Sequence, residues 1–163
     1  MKAQQIFFFL MIIFMAGCHN FRSWTDEERK DFRLKCQQTD TFNNYSFYLA
    51  GFEFDEIDTI IVKEYKDTVF IDSFRIFPSN SQSPDEKRRK IFVASISNTL
   101  NIKHRYQFII SGQKPYELSN MKMTMWPTYS QDQECYDCRM ADYTIDGVIY
   151  QGFGNLTIAK RDK

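Results

Sequence analysis

Outside its N-terminal segment, this 163-residue chain concentrates its chemistry in three cysteines, Cys36, Cys135 and Cys138. Cys135-Tyr-Asp-Cys138 has the spacing of a thiol oxidoreductase motif. Such a motif works at a helix N-terminus, where the helix lowers the thiolate pKa. Here Glu134 and Asp137 flank the pair, and their carboxylates disfavour a thiolate. The three thiols with a histidine could instead form a Cys₃His zinc set, but the second close pair of ligands is missing. Met121, Met123 and Met125 add soft thioether donors of the kind that suit copper(I). They also alternate with Lys122 and Thr124, which is strand spacing, and so read first as core filling. The remaining reading is structural. Joining Cys36 to Cys135 or Cys138 closes a loop of about 100 residues, worth up to roughly 4.7 kcal/mol in the chain-entropy treatment.

The other reactive residue types form no recognisable constellation. His104 falls on the apolar side of an alternating run and reads as a hydrogen-bonded core histidine; His19 sits near the N-terminus. No P-loop, dinucleotide fingerprint, HExxH or nucleophile elbow occurs, so no catalytic, cofactor-binding or metal residues are assigned. Glu53, Asp55, Glu56 and Asp58 crowd one stretch, without the spacing of an EF-hand loop, and read as a loop. Trp24, Trp126 and several tyrosines could supply a glycan-stacking platform if their rings are exposed.

The N-terminus has a different character. Lys2 precedes an unbroken apolar run, Ile6 to Ala16, which ends in the small pair Ala16-Gly17. As a helix this run spans only about 17 Å, against roughly 30 Å of hydrocarbon, so it reads as an export signal and not as a membrane span. Met15-Ala16-Gly17-Cys18 resembles the lipobox of bacterial lipoproteins, with Met in place of the commoner Leu. That resemblance implies cleavage before Cys18, a diacylglycerol on its thiol and an acyl chain such as palmitate on its amine. Two or three chains anchor stably, at about 0.8 kcal/mol per buried CH₂. Residues 1–17 are thus the signal peptide, 18–24 a lipidated tether, and 25–163 one domain. The segment His19 to Ser23 lacks the acidic cluster that often follows the cysteine of surface-exported Bacteroidota lipoproteins. That leans towards the periplasmic side of the outer membrane.

The elements behind the tether are mostly strands. Thr25-x-x-Glu28 is a capping box that opens a helix, with Asp26, Glu27 and Glu28 at its positive end and Arg33 and Lys35 near its negative end. Period-two runs follow at 57–65, 68–77, 91–97, 102–110 and 116–126. The segment 79–90 reads as a loop that ends in the basic run Lys87 to Lys90, and 128–140 reads as polar and irregular. Asp146-Gly147 between 143–145 and 148–150 signals a hairpin, and 155–160 a closing strand. The pattern predicts a mainly β protein, a β-sandwich of about seven strands with one N-terminal helix, and a barrel as the alternative. The stretch from Gly51 to Phe77 and the C-terminal hairpin resemble small Bacteroidota lipoproteins. The resemblance implies an immunoglobulin-like or transthyretin-like sandwich and no active site. Asp58-Thr59-Ile60 and Asp67-Thr68-Val69 resemble the short O-glycosylation pattern of that group.

Charge narrows the partner class. Lys plus Arg and Asp plus Glu both number 21, so the chain has no global attraction to nucleic acid. The expected function is non-enzymatic: a cell-envelope lipoprotein, held on the membrane by its lipid, whose domain binds an envelope protein or a glycan. The alternative is metal handling through Cys36, Cys135, Cys138 and the Met121/Met123/Met125 stripe.

Overall fold

A computed structural model of the chain describes residues 23–43, 45–79, 83–130, 133–151 and 156–161. The expected leader, Cys18, His19 and most of the expected tether lie outside these residues. The chain is mainly β, with the expected N-terminal helix. Helix α1 covers Asp26–Gln37. Its capping box forms as the sequence predicts: the Glu28 amide donates to the Thr25 hydroxyl at 3.2 Å, and the Thr25 amide donates to the Glu28 carboxylate at 2.9 Å. Three acids in the first turn and Lys35 in the last complement the helix dipole.

Eleven strands follow among the described residues, more than the seven or so expected. They are β1 (Thr41–Phe42), β2 (Tyr45–Ala50), β3 (Ile60–Lys66), β4 (Val69–Ile76), β5 (Ile91–Ile96) and β6 (Leu100–Asn101). The others are β7 (Arg105–Ile109), β8 (Tyr116–Ser130), β9 (Gln133–Ile145), β10 (Val148–Tyr150) and β11 (Thr157–Ala159). Six build one antiparallel sheet in the order β10-β9-β8-β7-β3-β4. A second sheet has the order β11-β2-β5, with β11 parallel to β2; β1 and β6 form a small pair.

The two sheets make a sandwich. Phe47 and Leu49 of β2, Phe92 and Ala94 of β5 and Ile158 of β11 share one core with Val62, Tyr106, Phe108, Leu118 and Ile145 of the larger sheet. Phe47 meets Phe108 edge-on across the interior, with ring centroids 5.3 Å apart. Each such side chain contributes about 1.5–3 kcal/mol on burial.

Register gives the sandwich two distinct ends. Glu64 lies opposite Tyr106, and Tyr106 opposite Leu118, so β3 and β8 run the same way. At the end they run towards, β3 turns back into β4 while β8 continues for eleven residues beyond Ser119. Together with β9 it forms a two-stranded ribbon there, and α1 packs on that ribbon. The chain returns from α1 at the same end, where the Ile102 amide donates to the Asp40 carbonyl at 2.8 Å. The opposite end holds the Asp146–Gly147 turn, with Arg161 bound to Asp146 and to the Lys114 and Pro115 carbonyls.

Three expectations need correction. The stretch 128–140 is not irregular but forms most of the ribbon, paired from Met125↔Cys138 to Ser130↔Gln133. Pro127 does not end β8, because β7 pairs only as far as Leu118 and leaves Pro127 on an open edge that needs no amide donor. The loop 79–90 contains a short helix, α2 (Pro84–Arg89), capped by Ser83 and Glu86. β2, the middle strand of the smaller sheet, was not predicted at all.

Candidate functional site

The register settles the cysteines. Cys36, the one buried residue of α1, is joined to Cys138 on β9, with Cα atoms 5.2 Å apart and a sequence separation of 102. Cys135 lies outside this bond and is buried. Three positions along an extended strand separate Cα atoms by about 10 Å, too far for a Cys135–Cys138 bridge, which needs about 4.4–6.8 Å. The Cys-x-x-Cys spacing is therefore a strand spacing and not a redox motif.

The other sulfurs do not join this pair. Met121 and Met123 are buried in the core, with Met140 opposite Met123. Met125 is half-buried opposite Cys138. No cluster of three or more metal-ligating His, Cys, Asp or Glu side chains occurs among the described residues.

The disulfide is half of the junction between α1 and the ribbon. At the other end of α1, Arg29 donates to the Tyr136 hydroxyl at 2.9 Å and to the Glu134 carboxylate at 3.1 Å, while Tyr136 also bonds Glu134. The Tyr136 hydroxyl, then the Arg29 guanidinium, hold the Glu134 carboxyl below its usual range. Trp24 packs edge-on against both Phe32 and Tyr136, at 5.5 and 5.0 Å. Its ring thus fastens the start of α1 to the ribbon, and Trp126 is half-buried. Two acids of the 53–58 loop face lysines: Lys160 contacts Glu56 at 2.6 Å, and Lys90 bonds Glu53. Thr68 is exposed at the β3–β4 turn, and Thr59 is half-buried.

His104 lies in the turn before β7 and not on the strand. Its Nδ1 is 2.6 Å from Glu64 Oε1, and both side chains are largely buried. The same carboxylate oxygen accepts from the Tyr106 hydroxyl at 2.9 Å, and that hydroxyl accepts from the Asn101 amide at 2.7 Å. A histidine, a carboxylate and a hydroxyl are the parts of an acid–base site, and sequence reasoning missed the pairing of Glu64 with His104. The hydroxyl, however, belongs to a fully buried tyrosine. Burial pushes its pKa far above the ordinary value, so it is neither nucleophile nor base near neutral pH. The cluster fastens the 101–104 turn to β3.

That role makes a prediction. Tyr106→Phe leaves the part-buried Asn101 amide without its acceptor and Glu64 without a donor, and should cost about 1–3 kcal/mol in chemical denaturation. Burial also raises the hydroxyl pKa of Tyr45, Tyr116 and Tyr143. Above pH 10 the unfolded chain releases these protons while the fold retains them, so stability should be full below pH 10 and fall as pH rises further.

The features left over are the two edges of the large sheet. Val148, Ile149 and Tyr150 make up β10, and they are 57%, 68% and 42% exposed. At the other edge Val69, Phe70 and Ile71 of β4 are 63%, 53% and 48% exposed. Edge strands normally carry charges, prolines or covers that prevent pairing with another chain. β10 has no charged residue and no proline. No known protein family, curated protein or solved structure matches the chain.

Proposed function

We propose that the chain is an envelope lipoprotein, tethered through Cys18, whose sandwich binds a second envelope protein by strand addition along β10. The observation that carries this is the composition of that edge: three consecutive exposed apolar residues without a gatekeeping charge. An extended segment laid against β10 would satisfy its outward backbone groups and cover Val148 and Ile149 together. A protein partner is favoured over a glycan because Trp24 is spent on the helix–ribbon junction. Metal handling is not carried forward, since the disulfide uses two of the three thiols it needs.

The test is residue-specific crosslinking in intact envelopes. A photoreactive residue at position 149 should give one discrete protein adduct, and one at exposed Asp31 on α1 should not. Ile149→Lys with the crosslinker moved to position 148 should abolish the adduct while thermal stability stays within about 0.5 kcal/mol, as for other surface changes. Adducts at both sites, or at neither, would contradict strand addition at this edge.

A further inference from the structure

We infer that the β3–β4 hairpin is a second membrane contact, with Val69, Phe70 and Ile71 dipping into the lipid surface that holds the chain. This inference rests on the proposed anchor at Cys18.

The local structure at the tip comes first. Tyr65 pairs with Phe70 but Glu64 pairs with Asp72, so Ile71 is an extra residue in β4. A bulge of this kind breaks the alternation of faces. Three neighbours in sequence are consequently all exposed, on both sides of the hairpin. A strand that docks on a protein through one face needs only alternate residues. Apolar side chains on both faces of the strand behind the turn suit a medium that surrounds it, with the charged turn residues able to reach the headgroups.

The tip is also held firmly. Phe70 meets the Tyr65 ring edge-on at 5.8 Å. The Arg105 guanidinium lies over the same Tyr65 ring, 5.4 Å from its centroid, and donates to the Asp67 carbonyl at 3.3 Å. An insertion element that is already ordered loses little conformational entropy on binding.

Position decides the occupant. The hairpin turns at the end of the sandwich where the ribbon projects and α1 begins and returns. Ser23, the first described residue, precedes Trp24 on the ribbon at Tyr136. Cys18 lies five residues before Ser23, and such a segment reaches at most about 18 Å. A lipid on Cys18 therefore draws this end, and not the Arg161 end, against the bilayer. Lys66 on the tip is offset by Asp67 and Asp72, all exposed. Binding should then rest on apolar area and not on anionic headgroups, so a neutral lipid surface suffices.

The experiment uses the chain extracted from membranes and reconstituted in phosphatidylcholine vesicles that contain a photoreactive acyl chain. Mass spectrometry then maps the adducts. Adducts at Val69 to Ile71, unchanged in high salt, are expected, and Phe70→Ser with Ile71→Ser should remove them while the Cys36–Cys138 bond stays intact. A lipidated chain with an unlabelled tip would overturn the inference. So would a tip that crosslinks to a protein in whole envelopes. If Cys18 carries no lipid yet the tip is labelled, the anchor fails and the tip contact stands.

Discussion

Replacing Cys36 with serine is expected to lower the unfolding free energy by about 2–5 kcal/mol, the range for removing a native disulfide. The bond spans 102 residues, so it restrains most of the unfolded chain between α1 and β9. The effect should also be local. Cys36 is the only buried residue of α1, and a twelve-residue helix has little stability of its own in water. The variant should lose helical circular dichroism and become sensitive to proteolysis at 26–37 before the sandwich unfolds. Reductant should reproduce this loss in the natural chain and add nothing in the variant. Cys135→Ser should keep the disulfide and show no reductant-independent loss of α1. Equal stability of the Cys36→Ser variant and the parent would remove the disulfide from this account.

Phe108→Ala should cost about 3–5 kcal/mol in urea or thermal unfolding. Phe108 is fully buried on β7, and its ring faces Phe47 of the opposite sheet. Truncation opens a cavity at the middle of the sandwich that strands on either side cannot close without breaking register. A double-mutant cycle with Phe47→Ala should show a coupling of about 0.5–1.5 kcal/mol, the worth of an aromatic pair beyond area burial. Phe70→Ala offers the contrast. The same residue type at the exposed tip should cost no more than about 1 kcal/mol, the worth of its cross-strand pair with Tyr65. Similar losses at 108 and 70 would mean that β4 is packed and not an open edge.

Some of this was readable from sequence because the causes are local. The capping box at Thr25, the dipole-matched charges and the Asp146-Gly147 turn act over a few residues, and all three appear where the sequence places them. The alternation at 102–110 gave the buried side of β7 correctly for Tyr106 and Phe108 but placed His104 on the strand. The turn at 102–104 is fixed by bonds to Asp40 and Glu64, 62 and 40 residues away in sequence, which no window can contain. The outer part of the ribbon, 128–140, reads as irregular in the sequence for a different reason. Its order comes from backbone pairing and from α1, so its side chains can be polar without breaking the fold. β2 was legible in part, since Phe47 and Leu49 alternate with Ser46 and Tyr48, but the aromatic on its outer face blurs the period.

The candidate surfaces were the least legible part. Val148-Ile149-Tyr150 has the composition of a buried strand, and only its place at the edge of six strands leaves it exposed. The choice of Cys138 over Cys135 likewise depends on which face of β9 meets α1, a matter of register and not of residue type.

The most direct test of the membrane-tethered reading is the intact mass of the protein extracted from envelope membranes, with thiols alkylated under denaturing conditions before and after reduction. The account predicts the mass of residues 18–163 plus acyl chains, one thiol alkylated before reduction and two more after it. A mass without acyl chains, or a chain that still begins at Met1, would contradict it.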